Sequence, residues 1–179
     1  MEHDHKLSIN GQEGQISQNC EPIMRSKTIG LDPGPQESAY VLWDGTAILE
    51  KGLQSNNEIA YLLTEKVSFS GAHLYIEMIG HYGTGMPAGK SCFDTCIWIG
   101  RFIECWSGRP YELILRPTIK AHLCGSARAK DANVSRALKD RLGEPGTKKQ
   151  PGLTYGVTSH CWAALAVAVT AHDRLVCGL

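Results

Sequence analysis

The chain predicts an α/β domain built on a mixed five-stranded sheet, three strands antiparallel and the rest parallel, with helices on both faces. Three observations predict it. Short extended segments joined by tight turns open the chain. Helical and extended segments then alternate. Hydrophobic residues make up 42% of 179, enough for one core.

Residues 1–26 are polar, rich in Gln, Asn, Ser and Glu, and lack apolar periodicity; they read as a disordered tail before a domain over 27–179. Residues 28–31 form a mostly apolar strand ending at Asp32, and Pro33-Gly34-Pro35 is a turn signal. A second strand covers 38–43, Asp44-Gly45 makes a hairpin, and a third strand covers 46–53. Asn56 or Asn57 is expected to cap a helix reaching about Val67, with Ile59, Leu62, Leu63 and Val67 on one side. Residues 73–79 read as a buried fourth strand and the glycine-rich 80–90 as a loop. A helix over 91–106 keeps Trp98, Ile99, Phe102, Ile103 and Trp106 at helical spacing. A fifth strand over 111–115 precedes a short helical piece near 118–123 and a helix over 131–142. After a loop over 143–156, an alanine-rich helix runs from about Ser159 to Leu175, with Trp162 expected in the core.

Composition narrows the function classes. No apolar run approaches the roughly 20 residues that span a bilayer, and the first residues lack a signal peptide's apolar core. A cytoplasmic protein is the expectation. The seven cysteines are odd in number and contain no CxxC pair, so neither a disulfide framework nor a zinc ribbon is indicated. Cys92 and Cys96 share a helix face and read as core fillers. Formal net charge is zero, but it is unevenly spread. Between Arg116 and Lys149 nine Lys/Arg stand against three acids, +6 there and −6 elsewhere. Such a stretch suits either nucleic-acid phosphates or a solvated helix face.

Two carboxylates stand out. Asp32 ends the first strand, its backbone held by the turn that follows. Glu77 lies inside the apolar strand Leu74-Tyr75-Ile76-Glu77-Met78-Ile79. A buried carboxylate is costly unless paired or bound to a cation. If the first and fourth strands are neighbours, the two acids meet, and a divalent cation relieves their repulsion. The structural alternatives are a turn cap for Asp32 and a lysine partner for Glu77. His160 opens the last helix, where a histidine is otherwise a satisfied core or cap residue.

Four segments together resemble the RuvC-type Holliday-junction resolvases of the RNase H-like superfamily: IGLDPG at 29–34, YIEMIG at 75–80, GSARAKDANV at 125–134 and HCWAALAVA at 160–168. The resemblance covers about 27–173. It implies an RNase H-like fold and an endonuclease acting on branched DNA in recombination and repair. It further implies Mg²⁺ or Mn²⁺, as two ions, held by Asp32, Glu77 and His160 as metal ligands and catalytic residues. Four-way junction DNA is the implied partner and a homodimer through the helix over 91–106 the expected assembly. Lys120, Arg128, Lys130, Lys148 and Lys149 are the expected phosphate contacts, with Tyr82 and Met86 against unstacked bases. The pattern departs from the family at Ala163, where a fourth acid is expected, and at Gly80, where an aromatic often stands. Ala163 keeps open a catalytically weak or inactive nucleic-acid-binding module, and a related nuclease acting on RNA is a second alternative. An ATPase of the actin and sugar-kinase type is disfavoured, because neither a second Asp-x-Gly loop nor a GxxxxGK[ST] loop is found.

Overall fold

The computed structural model describes residues 26–80 and 89–178. The tail expected over 1–26 lies, all but Ser26, outside the described residues, as do Tyr82 and Met86. The elements are β1 (Thr28–Asp32), β2 (Glu37–Trp43), β3 (Ile48–Ser55), α1 (Asn56–Glu65), β4 (His73–Met78), α2 (Lys90–Cys105), β5 (Tyr111–Leu115), α3 (Arg116–Cys124), α4 (Asp131–Leu142) and α5 (Cys161–Cys177).

The five strands form one sheet in the order β3-β2-β1-β4-β5. The first three pair antiparallel, while β1, β4 and β5 run parallel. The expected mixed five-stranded sheet is therefore present. Side chains alternate across it with the period of two that a pleated strand imposes. Ile29, Leu31, Tyr40, Leu42, Leu74 and Ile76 pack on one face with Ile59 and Leu63 of α1 and Ile99 and Phe102 of α2. Ala39, Val41, Trp43, Tyr75 and Ile114 pack on the other with α5, and with Ile119, Val134 and Leu138 of α3 and α4.

Helix α5 is enclosed on nearly every side, with Ala164 to Ala171 fully buried. Its alanines let it lie directly on β1. A Cβ at Gly30 would stand 2.2 Å from the Ala164 carbonyl oxygen and 2.5 Å from the Ala168 nitrogen, so only glycine fits. Thr28, two residues earlier on the same face, donates its Oγ1 hydrogen bond to the Ala168 carbonyl at 3.2 Å.

Several expectations are corrected. The cap of α1 is Ser55, whose hydroxyl receives the Glu58 amide while the Glu58 carboxylate receives the Ser55 amide. Asn56 is instead buried: it accepts from the Ser38 hydroxyl at 2.6 Å and donates to the Gly34 carbonyl at 2.9 Å. Helix α3 starts at Arg116, immediately after β5, with Pro117 in its first turn. Helix α5 starts at Cys161 rather than Ser159, which takes a left-handed conformation with φ of 42°. Among the described residues no helix is long and apolar enough to cross a membrane.

Candidate active-site cleft

The parallel strands β1, β4 and β5 end at one edge of the sheet, and each end carries a charged residue: Asp32, Glu77 and, just past β5, Arg116. Open α/β sheets place ligand crevices outside such carboxyl ends. Asp32 and Glu77 each follow the paired residues Leu31 and Ile76. Both therefore occupy the face that carries Gly30 and Tyr75, the face covered by α5.

The close approach of α5 also brings in His160. Gly30 meets Ala164; Asp32 is two strand residues beyond Gly30, and His160 is one helical turn before Ala164. Strand and helix advance by similar distances over those intervals, about 6 Å each. His160 Nδ1 accordingly lies 3.0 Å from Asp32 Oδ2. A carboxylate oxygen accepts, so Nδ1 carries a proton, and in the neutral imidazole Nε2 would be the nitrogen with the lone pair. Behind Asp32 the turn is pinned by Ser38, whose hydroxyl accepts from the Gly34 amide, and by Asn56.

Glu77 makes a 2.8 Å ion pair with the Nη1 of Arg116, and the Nη2 of the same guanidinium reaches Asp131 at 3.1 Å. Lys120, one turn along α3, meets the same Asp131 oxygen at 3.1 Å. Burial drives the Glu77 carboxyl up from 4.5 to about 7; the Arg116 charge opposes the rise and the Asp32 charge adds to it. Asp32 is also raised, chiefly by burial, against the hydrogen bond and charge of His160.

These groups line one cleft of about 440 Å³: Asp32, Glu77, Arg116, Asp131, Val134, Ser135, Ser159, His160, Trp162 and Ala163. Ala163 faces the cleft, as its three-residue offset from His160 requires. Trp162, expected in the core, is only partly buried; it lines the cleft with the Lys139 ammonium over its ring. On the other side of Asp32 and His160 lies a larger hollow of about 660 Å³, between the 33–37 turn and the start of α2.

Oxygen donors from Asp32 and Glu77, with one imidazole nitrogen, are chemically suited to a hard divalent cation such as Mg²⁺ or Mn²⁺. As placed, the donors are taken up in two pairs, Asp32 with His160 and Glu77 with Arg116. Among the described residues no three His, Cys, Asp or Glu side chains are grouped to enclose an ion.

The structure thus gathers Asp32, Glu77 and His160. It adds Arg116, in sequence a member of the charged stretch alone, and Asp131, which lies within the GSARAKDANV segment but was given no role there. The strand-end position of Arg116, matching that of Asp32, was the available signal. Lys120 reaches the cleft through Asp131, whereas Arg128, Lys130, Lys148 and Lys149 are exposed and pair with no acid among the described residues. Lys130 directly precedes Asp131 at the start of α4.

Solved structures that match the chain include two of RuvC. Thermus thermophilus RuvC matches with a TM-score of 0.63 at 19% identity, over 85% of this chain and 96% of that one. The same protein in complex with a Holliday junction substrate matches with a TM-score of 0.66 at 18% identity, over 86% and 96%. This chain has a RuvC-like fold. No family model and no curated protein matches the sequence, so the likeness to RuvC is one of structure. The sheet order and the contact of α5 with β1 explain why four short segments far apart in sequence meet at one edge.

Proposed function

We propose that this chain is a Mg²⁺- or Mn²⁺-dependent endonuclease that hydrolyses phosphodiesters of branched DNA, four-way junctions in particular. The observation that carries the reading is the convergence of Asp32, Glu77 and His160 in one cleft at the carboxyl edge of a RuvC-like sheet. When bound, divalent ions supply Lewis acidity toward the phosphate and an activated water. Asp32 and Glu77 provide carboxylate oxygens on the same sheet face, and His160 provides Nε2 while its Nδ1 orients against Asp32. The junction in complex with Thermus RuvC supports DNA as the partner.

Arg128, Lys130, Lys148 and Lys149 hold backbone phosphates without reading sequence, with Lys120 a lesser contributor because Asp131 engages it. Tyr82 is proposed against unstacked bases. Assembly as a homodimer fits a two-fold symmetric junction, with one cleft for each strand to be cut. Phe93 and Ile97 of α2, each 61% exposed and one turn apart, supply an apolar face for the second copy.

The test is incubation with four-way junction, linear duplex and RNA–DNA hybrid, each with Mg²⁺, Mn²⁺ or EDTA. Paired nicks in the junction with Mg²⁺ or Mn²⁺, absent in EDTA and in Asp32→Asn, are expected. Ala163, which leaves the cleft short of one acid, favours a second reading as a junction-binding module that does not cut. Tight junction binding with no nicking under any ion selects that second reading. Cleavage confined to the hybrid selects an RNA substrate.

A further inference from the structure

The four charges across the cleft, Glu77, Arg116, Asp131 and Lys120, form a continuous chain of ion pairs. Arg116 joins its two acids, and its side chain is only 18% exposed. Its backbone is fixed between the end of β5 and Pro117, so rearrangement falls to the side chain. The guanidinium is a planar fork, and here its two ends serve two different carboxylates.

A divalent cation and a guanidinium compete for the same carboxylate oxygens, and in a half-buried cleft they repel each other. We infer that Arg116 is the resident counter-ion of Glu77, displaced when a divalent cation takes that carboxylate, and that Asp131 is the anchor that keeps the guanidinium paired afterwards. This rests on the reading of the cleft as a divalent-ion site. Asp131 suits the part: it belongs to a different element, is 70% exposed, and already holds Nη2. Arg116 need not leave the cleft or become unpaired; it gives up one of two partners. With Glu77 ionised, Glu77, Asp131, Arg116 and Lys120 sum to zero charge. Once Glu77 serves a cation, the remaining three carry +1, at the place where a substrate phosphate is proposed to arrive. Ion binding and phosphate binding then reinforce each other.

The experiment is calorimetric titration of Mn²⁺ into the full-length parent, Arg116→Gln, Asp131→Asn and the double variant, at one pH without DNA. Arg116→Gln is expected to bind Mn²⁺ roughly ten-fold more tightly or better. Asp131→Asn is expected to bind more weakly than the parent, because displacement would leave the guanidinium unpaired. In the double variant that weakening disappears, since Asp131 acts through Arg116. Unchanged or weaker binding by Arg116→Gln, in a parent that does bind, overturns the inference alone. So does an Asp131→Asn loss that persists in the Arg116→Gln background, since Asp131 would then act on the ion itself. No Mn²⁺ binding by the parent or by any variant overturns the ion-site reading and this inference with it. If Arg116→Gln does not fold, the Arg116 Nε resonance of the parent carries the test under Mg²⁺. It must move in step with ion binding, and a resonance that stays still overturns the inference.

Discussion

Glu77 is partly buried, faces Asp32's charge and has Arg116 as its matching cation. Burial pushes its carboxyl up to about 7 in the folded chain, from an ordinary 4.5. Between those values the folded protein holds a proton that the unfolded chain has released. Stability without ions therefore falls as pH rises through that window. Glu77→Gln removes this slope; urea midpoints in EDTA at pH 5 and pH 8 measure it, and a variant as pH-sensitive as the parent contradicts the assignment. Ala163 gives a second prediction at this scale. With a carboxylate restored beside His160, Ala163→Asp is expected to tighten Mn²⁺ binding roughly ten-fold, a carboxylate being a strong ligand for such ions. Equal affinities in the titration would mean that residue 163 lines the cleft without reaching the ion. Asp32 and Glu77 stood out because a carboxylate at the end of or inside an apolar strand has to be explained, whereas His160, 62% exposed, was singled out by the resemblance of its segment. Arg116 and Asp131 were not, because arginine and aspartate within a charged stretch look alike whether they face solvent or a cleft. Only the meeting of β4, β5 and α4 in space distinguishes the two.

Among the elements, β1 and α5 do most to build the cleft, and their contact has no slack. Gly30→Ala forces a methyl into the α5 backbone. The expected cost is roughly 1–3 kcal/mol of stability, as for other overpacked cores, with His160 carried away from Asp32. Urea denaturation and junction cleavage would both record it, and a variant with parental stability and cleavage would show that α5 can shift freely. The basic stretch is expected to act through its unpaired members. Lys148→Ala with Lys149→Ala should lower the slope of log affinity against log salt by about two, roughly one per lost phosphate contact. Lys120→Ala should change the slope less, because Lys120 is engaged by Asp131. Identical slopes in the parent and the Lys148/Lys149 pair would make that surface a bystander. Strands and long helices were readable from periodicity, since alternation and the 3.6-residue repeat are written along the chain. The ends were less so: Asn56 looks like a cap, but a short amide buried against Ser38 and Gly34 is a tertiary fact, and Ser55 with Glu58 takes the cap.

For the whole molecule, the proposed dimer makes the exposed Phe93 and Ile97 face a determinant of assembly. Phe93→Glu with Ile97→Glu should give a monomer by light scattering while the far-ultraviolet circular dichroism stays parental, since neither side chain belongs to the core. A parent that is monomeric at working concentration yet nicks junctions in pairs removes the argument for a second copy. The sheet order itself follows from the sequence only as far as hairpins dictate neighbours. The placement of β4 beside β1 and of β5 beyond it depends on crossovers, and the motifs suggested it more than local pattern did. The seam where α5 lies on Gly30 also has a consequence in time. The amides of β1 sit between two hydrogen-bonded neighbours, and the α5 residues above them are fully enclosed. Hydrogen exchange at Leu31, Ala166 and Val169 should therefore require opening of the entire chain, with free energies equal to that of global unfolding. Residues 125–130, exposed for the most part and outside any helix or strand, should exchange through small local openings instead. β1 and α5 would then hold their separation for as long as the protein stays folded, while the 125–130 segment remakes itself many times over.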